Sequence, residues 1–320
     1  MVESKTRRQL VSTIGATSIA MVAGCSGGGS STNKPPLEPP DLDDPLAERY
    51  ESIEHETVYR EIDGQQLRVV AALPAVSDGS PVLMHFHGGA FRYGGPGYDG
   101  MEQLARAGIA VISIEYRLSG TATFPAAIRD VIASIQWVQA NEPEWSLNPN
   151  RVALTGDSAG AHLAALAAAA TEHPNFQPEN YPVDTAVSID ALIPHYGIYD
   201  FRPAWVCERD STRVPVTEFL GESCQSATDL RAEASPVAHI DSDHPPVLLF
   251  HGTEDQTLPI KTARSYRDAL SAAGISVDYR EFEGVGHAYF VRDSNRKEGA
   301  FQESHRRKVR MLFEGPWSDI

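Results

Sequence analysis

The sequence is poor in cysteine and lysine, and it has no hydrophobic run long enough to be a good membrane span. Its three cysteines, Cys25, Cys207 and Cys224, form no CxxC pair and no cysteine–histidine cluster with the spacing of metal ligands. We therefore expect no metal site. Five lysines stand against 22 arginines, and the formal net charge is -16. Nucleic acids and anionic membrane surfaces bind clustered basic residues, so neither is expected as a partner.

Residues 1–24 are predicted to be a signal peptide and not part of the fold. A basic start with Arg7 and Arg8 precedes a mildly apolar stretch that is too short and too rich in Ser, Thr and Gly to span a membrane well. The following Val22-Ala-Gly-Cys25 closely resembles a lipobox, at which bacterial and archaeal lipoproteins are cut and lipidated on the cysteine. The resemblance implies export, with a lipid anchor on Cys25. The arginine pair resembles a twin-arginine signal without its fuller consensus.

Residues 25–50 are predicted to be the lipid-anchor cysteine and a disordered linker. The stretch 26–45 is rich in Gly, Ser, Pro and acidic residues, and such a composition cannot bury a core. The linker would hold the folded domain, residues 51–320, clear of the membrane. We therefore expect an exported protein that is attached to the cell membrane or cell surface only through its lipid.

From Thr57 onward, short apolar segments alternate with helical ones, and motif order favours one α/β domain over two smaller ones. Two strands around Asp63-Gly64 predict a hairpin. Further strands are predicted at 81–86, 110–116, from 151, 189–197, 246–252 and 277–282, with helices at 124–140, after Gly160 and at 260–274. Strands that alternate with helices predict a mostly parallel sheet with helices on both faces.

Residues 199–235 interrupt this alternation. They mix aromatic and charged residues without a clear period, which predicts a lid-like insertion over the C-terminal edge of the sheet. Cys207 and Cys224 lie in this region, and in an exported protein they either form a disulfide or remain free thiols. Phe91, Tyr93 and Trp205 are candidate walls of a substrate pocket.

The segment Gly156-Asp-Ser-Ala-Gly160 has the pattern G-x-S-x-G between a predicted strand and a predicted helix. A serine at so sharp a turn adopts a strained backbone, and the two glycines let strand and helix approach closely. The hydroxyl of Ser158 would then be exposed at the N-terminus of the helix. Five-residue patterns also occur by chance, so a base, an acid and an oxyanion site must accompany this serine.

Candidates for the base and the acid follow the serine along the chain. His287 lies in a glycine-flanked loop after the last strand, and Asp255 follows the strand 246–252, at an edge where ligands gather in open α/β sheets. The order serine, aspartate, histidine is that of α/β-hydrolases. Acidic residues in loops more often only interact with solvent, and the alternative acids are Glu254, Asp241 and Asp243. Histidines are more often structural than catalytic, and the alternative histidines are His85, His87, His162, His239, His244, His251 and His305.

The candidate oxyanion donors are backbone N–H groups. One belongs to Ala159, directly after the serine, and another to Gly88 or Gly89 in the glycine-rich loop after the strand 81–86. Aligned donors stabilise the charge that develops on the carbonyl oxygen during acyl transfer. A glycine-rich loop can also serve only to turn the chain, but here it lies upstream of the serine, as the mechanism requires.

Several further stretches share the motifs of one group of proteins. They are His87-Gly-Gly-Ala, Glu115-Tyr-Arg-Leu, Phe124-Pro-Ala-Ala-Ile-Arg-Asp130, Asn148-Pro-Asn-Arg-Val, Tyr196-Gly-Ile-Tyr-Asp200 and His251-Gly-Thr-Glu-Asp-Gln-Thr-Leu-Pro259. Together with the serine motif, they resemble the hormone-sensitive-lipase branch of the α/β-hydrolases and the related acetyl-esterase-like and feruloyl-esterase-like families. The resemblance covers about residues 57–315. It implies the α/β-hydrolase fold, with Asp255 as the acid and His287 as the base.

Two departures narrow this resemblance. Ala90 stands where the lipase branch usually has a third glycine, and Ser119-Gly120 replaces its Pro-Glu. Both departures indicate a greater similarity to the acetyl-esterase, feruloyl-esterase and arylformamidase relatives than to the lipase branch. The resemblance implies hydrolysis of a small-molecule ester of a short acyl or aryl group through an acyl-enzyme, without metal or cofactor. The alternatives are an arylformamidase, an exopeptidase-like amide hydrolase, or a non-catalytic surface-anchored binding module on a hydrolase scaffold.

Overall fold

The computed structural model describes residues 34–315, except 42, 77–78, 98, 180–186 and 290–296. The predicted signal peptide and the predicted lipidation site, Cys25, lie outside the described residues.

Eight strands of the described chain form one mixed sheet. They are β1 (Ser52–Ile62), β2 (Gln65–Pro74), β3 (Ser80–Phe86), β4 (Ala110–Ile114), β5 (Leu147–Asp157), β6 (Ala191–His195), β7 (Val247–Gly252) and β8 (Val277–Phe282), in the order β1-β2-β4-β3-β5-β6-β7-β8. The pairs β1·β2 and β2·β4 are antiparallel, and the pairs from β4 to β8 are parallel. The predicted hairpin at Asp63-Gly64 joins β1 to β2, and both turn residues have the positive φ that tight hairpin turns favour.

Helices cover both faces of this sheet. They are α1 (Met101–Arg106), α2 (Ala126–Ala140), α3 (Glu142–Trp145), α4 (Ala159–Ala170), α5 (Trp205–Glu208), α6 (Asp210–Leu220), α7 (Thr228–Glu233), α8 (Lys261–Ala272) and α9 (Glu298–Glu314). Along β3, Val82, Met84 and Phe86 join an apolar cluster with α2, α4 and α8, whereas Leu83 joins another with α1 and α9. A strand buried on both faces is expected of a parallel sheet, and the predicted α/β architecture is confirmed. None of the described helices has the length and apolarity needed to cross a membrane.

The N-terminal segment differs from its prediction as a linker. The described part of residues 34–50 packs on the domain. Leu46 is buried in the cluster formed by α1 and α9, and the Arg49 N–H donates to the carbonyl oxygen of Arg106 at 2.9 Å. The Arg49 guanidinium also lies 5.7 Å from the centre of the Phe313 ring. These contacts are long-range, so the Pro-rich and acidic composition did not indicate them.

The insertion at 199–235 is largely helical, although its sequence shows no clear period. It contains α5, α6 and α7, which are short, and α6 carries an internal proline, Pro215. Phe219 at the end of α6 stacks on Phe91 with ring centres 4.1 Å apart, and it thereby attaches the insertion to the glycine-rich loop. Cys207 on α5 and Cys224 after α6 form a disulfide.

We expect the disulfide to stabilise the native state. Closing a loop of this size lowers the entropy of the unfolded chain, so the double variant Cys207→Ser/Cys224→Ser should lose about 3 kcal/mol of unfolding free energy. Urea titrations of wild type and variant, each with and without reductant, measure the difference. The reduced wild type should coincide with the variant, and equal midpoints for oxidised wild type and variant would contradict the prediction.

Candidate active site

Ser158 occupies a strained turn between β5 and α4. Its φ is 52° and its ψ is -112°, a conformation that non-glycine residues rarely adopt and that is often found at functional sites. Its N–H donates to the carbonyl oxygen of His195 at 3.0 Å, which fixes the turn against β6. A Cβ atom at Gly160 would overlap the carbonyl oxygen of Phe86, so only glycine permits this approach of α4 to β3.

The structure brings Ser158, His287 and Asp255 together. They follow β5, β8 and β7, and the parallel strands place all three at one edge of the sheet. His287 Nε2 lies 3.1 Å from Ser158 Oγ, and His287 Nδ1 lies 2.7 Å from Asp255 Oδ2. Both are hydrogen-bond distances. The arrangement can take a proton from Ser158 and stabilise the imidazolium that forms.

Asp255 is buried, and its carboxylate has four donors. Oδ1 accepts from the backbone N–H groups of Thr257 at 2.9 Å and Leu258 at 2.8 Å. Oδ2 faces His287 and also lies 3.1 Å from Nε2 of the fully buried His251. Burial alone would raise the pKa of Asp255, but hydrogen bonds from His251 and His287 outweigh it and hold the pKa well below its usual range. Asp255 is therefore an ionised acceptor for His287.

His251 contacts Asp255, although its position in an apolar strand predicted only a structural role. Its Nε2 is 2.9 Å from the carbonyl oxygen of Leu258, and a carbonyl only accepts, so this nitrogen carries a proton that is shared with Asp255. The signal for this contact was the spacing of His251 and Asp255, which are four residues apart at the end of one strand. Distance along the chain does not reveal that the histidine points at the acid.

The alternative acids and histidines do not approach Ser158 Oγ as His287 does. Glu254, Asp241 and Asp243 are exposed. His305 is buried on α9, where its Nδ1 donates to the carbonyl oxygen of Phe301 at 2.9 Å. Burial lowers the pKa of His162 to about 4, and its Nδ1 donates to the carbonyl oxygen of Ile198. The remaining histidines with a close backbone carbonyl are His87, His239 and His244.

A cavity of about 690 Å³ opens over Ser158 and His287. Gly88 and Gly89 line it, and Ala159 begins α4 directly after the serine. No group of three or more His, Cys, Asp or Glu residues suited to a metal ion occurs in the described part of the chain.

Of the three residues predicted to form the cavity walls, the structure places only Tyr93 among the described lining residues. Tyr93 lines the cavity and is 63% exposed. Phe91 instead packs against Phe219, and the Trp205 ring lies 4.4 Å from Lys261 Nζ. None of the described lining residues comes from 199–235. The wall consists of the glycine-rich loop with Asp99, of His85 on β3 and Asp157 at the end of β5, and of short segments after β5, β6, β7 and β8. The lid-like role predicted for the insertion therefore gains no support from the cavity.

Tyr196 lines the cavity, although its sequence context indicated only that it belongs to a family motif. It is buried after β6 with a φ of 39°, and its ring centre is 4.8 Å from that of His287 at a steep angle. A bulky residue at positive φ is uncommon, and here the strain places the ring beside the imidazole.

Comparisons with known proteins show which proteins this chain resembles. A sequence model described as BD-FAE matches residues 71–270. Esterase LipC of Mycobacterium tuberculosis is 33% identical over 68% of this chain and 55% of its own length. Carboxylesterase NlhH of Mycobacterium tuberculosis is 30% identical over 68% of each chain. The chain spans about half the length of LipC and of the similar relatives LipM and LipQ.

A solved structure has the same fold over most of its length. It is the propionate-bound structure of the thermophilic esterase Est2 from Thermogutta terrifontis, with a TM-score of 0.68 and 25% sequence identity. The match covers 82% of this chain and 94% of the other chain. The similarity therefore extends over most of this chain and is not confined to the segment around Ser158.

Proposed function

Because the chain belongs to the BD-FAE family and has an α/β-hydrolase fold, we propose that it is a carboxylic ester hydrolase that uses Ser158 as nucleophile. The observation that carries the proposal is the pair of hydrogen bonds from Ser158 through His287 to Asp255, with a cavity open above the serine. A strained serine hydroxyl beside an oriented imidazole is the arrangement that activates a weak nucleophile.

In the proposed reaction, Ser158 Oγ attacks the ester carbonyl while His287 Nε2 takes its proton. N–H groups of Ala159 and of Gly88 or Gly89 stabilise the oxyanion. His287 then gives the proton to the leaving alcohol, which departs and leaves an acyl-enzyme. Water, activated by His287, attacks that ester and releases the acid, while Asp255 keeps the imidazole oriented throughout.

We propose an ester of a short acyl or aryl group as the substrate. The sequence departures from the lipase branch favour it, and the esterase Est2 of Thermogutta terrifontis, which is similar in fold, has propionate bound in its solved structure. The same chemistry cleaves amides, so an arylformamidase or exopeptidase-like activity is the alternative that a substrate series must separate.

Release of p-nitrophenol from acetyl, butyryl, octanoyl and palmitoyl esters tests the proposal. The rate should be highest for acetyl or butyryl and fall with chain length, and it should exceed the rate on matched anilides and aryl formamides. A p-nitrophenyl phosphonate should inactivate the protein, and peptide mapping should locate the added mass on Ser158. An adduct elsewhere, or no ester hydrolysis by folded protein, would contradict the proposed function.

We also propose that the protein is exported and lipid-anchored through Cys25. The support is the Val22-Ala-Gly-Cys25 motif, which follows a basic start and a mildly apolar stretch. Expression with a radioactive fatty acid should label the wild type and not Cys25→Ser, and the variant should leave the membrane fraction. Equal labelling of both forms would contradict the anchor.

A further inference from the structure

A second serine–histidine–aspartate hydrogen-bonded chain lies beneath the candidate active site. Ser113 on β4, His85 on β3 and Asp157 at the end of β5 belong to three adjacent strands. His85 Nδ1 lies 3.0 Å from Ser113 Oγ, and His85 Nε2 lies 3.2 Å from Asp157 Oδ1. Ser113 is fully buried, whereas His85, which is nearly buried, and Asp157 line the floor of the cavity below Ser158.

The direction of the hydrogen bonds follows from the chemistry of the partners. A carboxylate only accepts, so His85 Nε2 carries a proton and donates it to Asp157. Burial lowers the pKa of His85 despite the favourable effect of Asp157, so the ring is neutral and Nδ1 is an acceptor. Ser113 therefore donates its hydroxyl proton to His85. Its oxygen in turn accepts the N–H of Gly97 at 2.8 Å.

Both ends of this chain meet the glycine-rich loop, residues 87–97. Gly97 is bonded to Ser113 at one end of the loop. At the other end, Asp157 Oδ2 lies so close to Gly88 that a Cβ atom there would overlap it. Asp157 directly precedes Ser158. The hydrogen-bonded chain of Ser113, His85 and Asp157 therefore links two points of the glycine-rich loop to the turn that carries Ser158.

We propose that Ser113, His85 and Asp157 are positioning residues that hold the glycine-rich loop against the Ser158 turn, so that the oxyanion donors are in place before substrate binds. The inference rests on the proposed function of Ser158. Donors fixed in advance stabilise the transition state without reorganisation, whereas a shift of about 1 Å can cost on the order of 100-fold in rate. The Tyr116 hydroxyl also donates to the carbonyl oxygen of His87 at 2.7 Å. Removing one hydrogen bond should therefore increase the mobility of the loop without detaching it from the sheet.

Ser113→Ala and Asp157→Ala break the chain at opposite ends. Both should lower kcat on p-nitrophenyl acetate roughly 10- to 100-fold with KM nearly unchanged, because the loop acts on the developing oxyanion and not on ground-state binding. Asp157→Asn keeps an acceptor oxygen for His85 and should recover most of the lost rate. Ser134→Ala, another buried serine whose hydroxyl donates only to Val131 of its own helix, is the matched control and should keep the wild-type kcat.

Hydrogen exchange gives a readout that does not depend on activity. Peptides covering residues 87–97 should exchange faster in Ser113→Ala and Asp157→Ala than in wild type or Ser134→Ala. Unchanged exchange there in both variants would overturn the inference, and so would faster exchange without a fall in kcat. If one variant fails to fold, the other carries the same test. If the folded wild type hydrolyses no ester, the proposed function is contradicted. Faster exchange in the two variants would then still show that these residues hold the loop.

Discussion

Replacing Ser158 with alanine should lower kcat for p-nitrophenyl acetate by roughly 10⁴- to 10⁶-fold, which is the range seen when the nucleophile of a serine hydrolase is removed. The substitution deletes only the oxygen that lies 3.1 Å from His287 Nε2. The N–H that bonds to His195 remains, and so does Gly160, so the turn keeps the contacts that shape it. Binding should change little, and the loss should fall on kcat.

The control for Ser158→Ala is Ser134→Ala, which makes the same chemical change in a buried helix away from the cavity. Circular dichroism and thermal melts establish that both variants are folded. End-point assays over several hours detect the residual rate of Ser158→Ala. The phosphonate should no longer label the Ser158 peptide. Equal rates for wild type and Ser158→Ala would remove the esterase proposal, and the surface-anchored binding module would then be the better interpretation.

The residues around Ser158 were predictable because their spacing along the chain is tied to the order of strands. A parallel sheet places the ends of β5, β7 and β8 at one edge, so a serine after β5, an acid after β7 and a histidine after β8 must lie near one another. The hairpin at Asp63-Gly64 was predictable for a similarly local reason, since the turn residues alone favour it.

The contacts that were missed depend on which way a buried side chain points. His85 and His251 lie in apolar strands, where a histidine is usually structural, and only the three-dimensional arrangement shows Asp157 and Asp255 beside them. The helices of the insertion 199–235 were not predicted because helices of 4 to 11 residues show little hydrophobic periodicity in the sequence. The described part of 34–50 packs through single residues such as Leu46, which composition cannot identify.

Replacing Asp255 with asparagine should lower kcat by about 10⁴-fold, which is the loss produced by the same change in a serine protease of unrelated fold. An asparagine can still accept the N–H groups of Thr257 and Leu258 through Oδ1. Its NH₂ group then takes the place of Oδ2 and donates to His287 Nδ1. The imidazole proton must move to Nε2, so that nitrogen can no longer accept the proton of Ser158.

The N–H groups of Thr257 and Leu258 disfavour the reversed orientation of the asparagine amide, and His251 disfavours the first orientation. With the amide reversed, Nδ2 would face the N–H groups of Thr257 and Leu258, which are also donors. In the first orientation the NH₂ group meets His251 Nε2–H, which the Leu258 carbonyl holds as a donor. Either orientation leaves donors opposed, so Asp255→Asn should also unfold at a lower temperature, and its activity must be compared at a temperature where it is folded.

Glu254→Gln is the matched control, because it removes one carboxylate from the neighbouring exposed position and should keep kcat within about twofold, as surface changes away from a site usually do. If Glu254→Gln lost the activity and Asp255→Asn kept it, Glu254 would be the acid. The expected result separates the two because only Asp255 is buried between two histidines. Its charge is held there by four donors that would otherwise be left without an anion, and the orientation of His287 depends on that charge.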